Sequence, residues 1–125
     1  MTDPYKTGLE HIRAGRFFEA HEELEIVWRA AAPEERDFYQ GLVHVAVAWY
    51  QAGRGRPVAT ARQLEKALRR LEAYEPTHRG VDVAALRRQI SDLLITMDLR
   101  GRQPDGIEGA VDRNVEPPVT VEEEE

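Results

Sequence analysis

The segment that most constrains the fold lies in the middle of the chain, from Gly41 to Trp49. Its residues are apolar on nearly every side of a helix, and only His44 interrupts them. A helix on the surface of a globular protein needs a polar face, so a helix that is apolar all round is covered by its neighbours. The segment therefore predicts the central helix of a helical bundle.

Other segments repeat apolar residues every three or four positions, which is the spacing of one helix face. They are separated by prolines suited to a first helical turn and by Ala-Gly pairs suited to a helix end. The pattern predicts five helices: one capped by Asp3, one from Phe17 to about Ala31, one from Pro33 to Gly53, one from Pro57 to before Pro76, and one capped by Asp82. No strand pattern precedes the C-terminal residues.

The order of these segments predicts how the helices pack. A helix, a break and a second helix occur twice, in a pattern faintly similar to tetratricopeptide hairpins. We expect an all-α fold, an irregular bundle of about five helices built from two helical hairpins plus a C-terminal helix. Residues 1–100 would form this domain and residues 101–125 an irregular acidic tail, in which Val119-Thr120-Val121 favours an extended conformation.

Composition restricts the environment and the partners. The chain has no cysteine, so disulfides and thiolate metal sites are excluded. We find neither a signal-peptide pattern nor an apolar run of membrane-spanning length, and we expect a cytoplasmic protein. The net charge of -6 disfavours nucleic acid and anionic membranes as partners, because both would repel the chain at long range.

Basic residues are concentrated in the predicted fourth and fifth helices, which allows two interpretations. They could bind an anionic ligand or nucleic acid, or they could form a solvated face with ion pairs such as Glu65 with Arg69. We favour the solvated face, because stacking aromatic residues are missing from the stretch apart from Tyr74. The residues are Arg54, Arg56, Arg62, Lys66, Arg69, Arg70, Arg79, Arg87 and Arg88.

Candidate site residues lie on the second and third helices. His21, Glu25 and Trp28 fall on or beside the apolar face of the second helix, and Gln40 and His44 are one turn apart on the third. A short connection makes these helices antiparallel neighbours. We therefore predict that the side chains of His21, Glu25, Gln40 and His44 converge. Glu22 should not join them.

Two hypotheses explain such a cluster. The favoured one is a buried polar network that needs no cofactor, in which each group is hydrogen-bonded by another. The alternative is a divalent metal ion held by His21, Glu25 and His44, with an open position for water, as in a metal-dependent hydrolase. His11 and His78 are expected to be surface residues, with His78 solvated in a loop.

Apolar or aromatic residues off the main helix faces suggest an interaction surface. Phe18, Ile26 and Tyr39 are such residues, and Ile26 lies among glutamates opposite the core face of its helix. They are plausible contact points for a protein partner or a homo-oligomer. The sequence thus favours a binding or protein-interaction module over an enzyme.

Two motifs carry a resemblance to a known family. The first runs from Phe18 through His21 and Glu25 to Trp28, and the second is Phe38-x-Gln40-Gly41-Leu42. Together they resemble the domain of unknown function family 309, small all-helical proteins of bacteria and archaea. The resemblance covers roughly Tyr5 to Leu71 and implies an irregular helical bundle of uncharacterised function. It places His21, Glu25, Trp28, Gln40 and Gly41 at signature positions.

Overall fold

A computed structural model describes residues 3–100, and it confirms the predicted all-α fold with five α-helices. A short 3₁₀ helix, Glu72–Tyr74, follows the fourth α-helix, and two short strands precede the fifth. The helices are α1 (Pro4–Arg13), α2 (Phe17–Ala30), α3 (Pro33–Gly53), α4 (Pro57–Leu71) and α5 (Val83–Arg100); the strands are β1 (Thr77–His78) and β2 (Val81–Asp82).

The helix starts follow the signals in the sequence. The Asp3 carboxylate accepts a hydrogen bond from the Tyr5 backbone N–H at 3.0 Å, and the Asp82 carboxylate accepts one from the Ala85 N–H at 2.9 Å. Each bond satisfies a backbone donor that has no partner inside its helix. Pro33 and Pro57 occupy the first turns of α3 and α4, where a missing N–H costs nothing.

The helices pack as two hairpins, α1 with α2 and α3 with α4, and α5 lies against α4. Helix α3 is central: it makes its most extensive contacts with α4 and also packs along α2. Nine of its residues are buried, which confirms the interpretation of its apolar middle segment. The core continues through fully buried side chains of the other helices, including Ile12, Leu24, Leu64, Leu71 and Leu86.

The structure corrects two predictions, that Tyr39 is available to a partner and that no strand precedes the C-terminal residues. Tyr39 is buried rather than available to a partner, with 5% exposure, because its ring packs edge-on against Tyr5 at 5.7 Å and Phe38 at 5.3 Å. Burial raises the pKa of the Tyr39 hydroxyl.

Strands β1 and β2 pair in antiparallel register, Thr77 with Asp82 and His78 with Val81. Strands of two residues are too short to show an alternating pattern.

The expected acidic tail at residues 101–125, with its Val119-Thr120-Val121 segment, lies outside the described residues. Across residues 3–100, we find no helix whose length and apolar character would let it cross a membrane.

Helices α3 and α4 approach each other closely at Gly41. A Cβ atom at this position would lie 2.6 Å from the Leu71 Cγ and 2.7 Å from its Cδ2. Real Cβ contacts are not that short, and Leu71 is fully buried, so it cannot move without displacing its core neighbours. The absent side chain at Gly41 therefore sets how closely the two helices pack.

We expect Gly41→Ala to lower the free energy of unfolding by about 1–3 kcal/mol, the usual cost of overpacking a core, although alanine favours helix formation. Gly53→Ala is the matched control, because within residues 3–100 no atom beyond its chain neighbours and the backbone of its own helix lies within 4 Å of the position that its Cβ would take. It should be neutral or raise stability by about 0.5–1 kcal/mol. Urea unfolding of both variants measures this, and equal effects would contradict the close approach of α3 and α4.

Candidate functional site

His21 and Glu25 pair on α2, one turn apart. The His21 Nε2 and the Glu25 Oε2 are 3.2 Å apart, and the other carboxylate oxygen accepts a hydrogen bond from the Arg29 guanidinium at 3.3 Å. The His21 and Glu25 side chains are 26% and 31% exposed, so the pair lies at the surface edge of the bundle. Glu22 is exposed to solvent. The spacing thus predicted the local pair but not its exposure.

His44 faces α4. Its Nδ1 lies 2.7 Å from the Oε1 of Gln63, and because an amide oxygen only accepts hydrogen bonds, Nδ1 is the donor. His21 instead lines a shallow groove together with other residues of α2 and α3: Phe18, Val47, Tyr50 and Gln51. The prediction that His21, Glu25, Gln40 and His44 converge is therefore wrong. The side of α3 that carries His44 is turned towards α4 by the packing of Gly41 on Leu71.

The predicted metal ligands are also separated. In the part of the chain that the structure describes, no three histidine, aspartate or glutamate side chains are grouped so that they could hold a metal ion. The set His21, Glu25 and His44 is therefore not a ligand set, because imidazole and carboxylate ligands must approach one ion to about 2 Å.

Gln40 and His44 line a cavity between α3 and α4. Its volume is about 390 Å³, and it is open to solvent on one side. Helix α3 contributes Asp37, Gln40 and His44, and helix α4 contributes Lys66, Arg69 and Arg70. Helical spacing explains the set, because residues three or four positions apart lie on one face of each helix.

The cavity carries an excess of positive charge. The Arg70 guanidinium donates to the Asp37 carboxylate at 2.8 Å, so these two charges compensate each other. Lys66 and Arg69 form no ion pair with any carboxylate among residues 3–100, and the expected pair between Glu65 and Arg69 is absent there. Two cationic side chains are thus left facing the cavity without a counter-charge from the described fold.

His44 is held neutral in this setting. Burial lowers the pKa of its imidazole, and the nearby charges of Lys66, Arg70 and Arg69 lower it further, against the opposing effect of the Gln63 hydrogen bond. Since Nδ1 carries the proton that Gln63 accepts, Nε2 of the neutral ring has a free lone pair. The cavity therefore combines two exposed cationic side chains, Lys66 and Arg69, with a neutral imidazole whose Nε2 can take up a proton.

Trp28 belongs neither to the His21–Glu25 pair nor to the residues that line the cavity between α3 and α4. The Arg36 guanidinium lies 5.2 Å from the centre of its ring, a cation–π contact between α2 and α3. Its buried indole Nε1 has no hydrogen-bond partner in the described structure. The contact joins two helices and places Trp28 in packing rather than beside His44.

His78 also contacts a carboxylate, and the sequence did not predict this contact. The His78 Nε2 lies 2.7 Å from the Glu35 carboxylate, and its ring packs 4.6 Å from Phe38 and 4.8 Å from Tyr74. The Tyr74 hydroxyl donates to the Glu34 carbonyl at 2.7 Å. His78 is half-buried, so the expectation of a solvated loop residue is wrong. Its partner is 43 positions away, and no local pattern reports such a distance.

Comparison with known proteins identifies the family. Residues 5–63 match the model of a domain of unknown function, DUF309. These residues belong to DUF309. The match includes α1 to α3 and the first part of α4, so it contains His44 and Gln63 but ends before Lys66 and Arg69.

One relative extends the similarity beyond that region. An uncharacterized protein of Aquifex aeolicus (strain VF5) is 30% identical over 92 residues, which cover 73% of this chain. The same residues cover 27% of the relative, so this chain spans about a quarter of that protein's length. No solved structure matches the chain. The description of the matched family states no function.

The lowered pKa of His44 predicts a pH dependence of stability. The His44 imidazole has its ordinary pKa of 6.5 in the unfolded state and a lower pKa in the folded state. Below pH 6.5 the unfolded state therefore binds a proton that the folded state does not yet bind. The free energy of unfolding is then highest above pH 6.5 and falls as the pH drops below it. We expect His44→Gln to flatten this part of the profile, measured by urea unfolding between about pH 5 and pH 8. A profile as steep as that of the wild type would show that His44 does not cause it.

Proposed function

We propose that this DUF309 protein is a binding module that takes a small anionic group, such as a phosphate, sulfate or carboxylate, into the cavity between α3 and α4. One observation carries the proposal. Lys66 and Arg69, which have no ion-pair partner within residues 3–100, line the same cavity as the neutral His44. An anion there would receive charge-assisted hydrogen bonds from both cations.

The size of the cavity suits a small ligand. Its volume of about 390 Å³ falls within the range of ligand sites in proteins, roughly 300–1,000 Å³. Its lining is mainly polar and charged, which favours a compact charged group over an apolar molecule. Gln40 offers an amide N–H donor, and the Nε2 of His44 becomes a donor when its ring takes up a proton.

The positions of the cations also support the proposal. The Asp37 carboxylate is paired with the Arg70 guanidinium at 2.8 Å, so the positive charge of Arg70 compensates the negative charge of the one acidic residue in the lining. The chain as a whole is acidic, with a net charge of -6, yet this cavity has a local excess of positive charge. A local field of this sign concentrates anions even on an acidic protein.

We expect Lys66→Ala and Arg69→Ala each to weaken the binding of inorganic sulfate about tenfold, since a hydrogen bond to a charged group contributes roughly 1.5 kcal/mol. Isothermal titration calorimetry at low ionic strength gives the affinities. Arg62→Ala is the matched control, because Arg62 is an exposed residue of α4 outside the cavity lining. It should retain the wild-type affinity.

Two results would contradict the proposal. The first is a wild-type protein that does not bind sulfate at low ionic strength. The second is a loss of affinity in Arg62→Ala equal to that in Lys66→Ala, because it would mean that general surface charge and not the cavity attracts the anion.

A second candidate function is self-association through the outer face of α2. Phe18 is 46% exposed and Ile26 is 53% exposed, and Phe18 borders a groove of about 190 Å³ beside Tyr50. In an antiparallel pair of α2 helices related by a two-fold axis near Ile26, Arg29 of each copy would lie beside Glu22 of the other. This complementarity supports a second copy of the chain as the partner.

Light scattering on purified protein tests the association. We expect a dimer for the wild type and a monomer for Ile26→Glu, because a buried unpaired charge at the axis is strongly unfavourable. Ile95→Glu is the control, since Ile95 is 61% exposed on α5, away from the α2 face. A monomeric wild type would contradict this candidate and leave the anion site unaffected.

A further inference from the structure

His44 presents a hydrogen-bond acceptor among the cations of the cavity. Its Nδ1–H donates to the Gln63 Oε1 at 2.7 Å, so the lone pair of the neutral ring is on Nε2. Within residues 3–100, Nε2 has no hydrogen-bond partner, and the one buried side-chain nitrogen or oxygen without a partner is the Trp28 Nε1. The His44 Nε2 is therefore accessible to solvent. Since His44 lines the cavity, which is open to solvent on one side, we place this lone pair at the cavity wall.

We propose that the ligand of this cavity is an oxyanion that still carries a proton, hydrogen phosphate, whose P–O–H group donates to the His44 Nε2. The inference rests on the proposed function, because it names the anion that the same cavity would take. Lys66 and Arg69 would bind the charged oxygens, as they would in any small dianion. The hydroxyl is the part of the ligand that His44 distinguishes.

Sulfate is the matched ligand without this proton. Sulfate and hydrogen phosphate are tetrahedral dianions of similar size, so the cations of the cavity attract them about equally. Sulfate has only acceptor oxygens. One of them would face the Nε2 lone pair of His44, acceptor against acceptor, unless the ring first takes up a proton. Either alternative costs free energy that hydrogen phosphate does not lose, and a site discriminates between ligands by such unpaired groups.

The surroundings of His44 keep its ring in the acceptor form. Burial lowers the pKa of the imidazole, and the charges of Lys66, Arg70 and Arg69 on α4 lower it further. On α3, the acidic residue of the lining is Asp37, and its carboxylate already accepts a hydrogen bond from Arg70 at 2.8 Å. Proton uptake by the ring is therefore unfavourable at neutral pH. Hydrogen phosphate retains its own proton in this pH range and can supply it to the hydrogen bond.

Calorimetry on the full chain at low ionic strength can compare inorganic phosphate, sulfate and methyl phosphate. Methyl phosphate loses its last proton at about pH 6, so at about pH 8 it is a dianion without a hydroxyl group. We expect the wild type to bind inorganic phosphate about tenfold more tightly than either of the other anions, the usual effect of one hydrogen bond to a charged group.

The variant that tests the acceptor is His44→Leu, which removes the lone pair. It should bind phosphate and sulfate with affinities within about twofold of each other, because both would then depend on the cations alone. The matched control is His21→Leu, since His21 lines the separate groove between α2 and α3. The control should keep the preference of the wild type for phosphate.

Four results would overturn the inference, and one of them would also overturn the proposed function. Equal binding of phosphate and sulfate by the wild type through Lys66 and Arg69 would exclude the role of the hydroxyl and leave the anion site standing. A preference that persists in His44→Leu would assign the hydroxyl to another acceptor of the cavity. Methyl phosphate that binds as tightly as phosphate would show that no hydroxyl is needed. If none of the three anions binds, the proposed function fails as well.

NMR signals of the His44 ring test the same hydrogen bond in the wild-type protein, without a substitution that could disturb the fold. In a phosphate titration at about pH 8 the ring signals should shift on binding while the ring stays neutral, with Nδ1 protonated and Nε2 as the acceptor. A ring that becomes protonated when phosphate binds would contradict the inference, because Nε2 would then be the donor.

Discussion

The structure depends on the close packing of α4 against α3 at Gly41. Because position 41 has no side chain, Leu71 fits against the backbone of α3 and completes the buried core. The same approach fixes the rotation of α3 about its axis. It turns Gln40 and His44 towards α4, where Gln63 holds the His44 ring at 2.7 Å and the basic residues of α4 face it across the cavity. The packing of Leu71 on Gly41 therefore contributes both to the buried core and to the position of the candidate site.

Much of the fold was predictable because its determinants are local. Asp3 and Asp82 cap helices through hydrogen bonds within three residues, and Pro33 and Pro57 start helices by their own backbone geometry. The burial of α3 followed from the absence of a polar face. Hairpin pairing followed from short connections. The β1–β2 hairpin was not predictable, since two-residue strands have no detectable period, and the residues that bury Tyr39 include Tyr5 on a different helix.

The site was only half predictable, for a geometric reason. Helical periodicity identifies the residues that share a face, and it correctly grouped Gln40 with His44 and His21 with Glu25. It does not identify which neighbouring helix covers that face. Helix α3 has neighbours on several sides, and the chain's shortest connection pointed to α2, whereas the polar face meets α4. Lys66 and Arg69 are exposed, as the interpretation of a solvated face predicted, but they lack the predicted helical ion pairs within residues 3–100. Only the structure revealed the missing ion pairs and the cavity.

If an anion binds in the cavity between α3 and α4, it lies beside His44 and not beside the other histidines. The chain has four histidines, at positions 11, 21, 44 and 78, so their ring signals can be followed together by NMR during a sulfate titration. Anion binding in the cavity should cause a saturable shift of the His44 ring signals, towards the protonated form because a bound anion favours the charged ring. The rings of His11, His21 and His78 should stay unchanged. A uniform shift of all four rings, or no shift of the His44 ring, would contradict anion binding in this cavity.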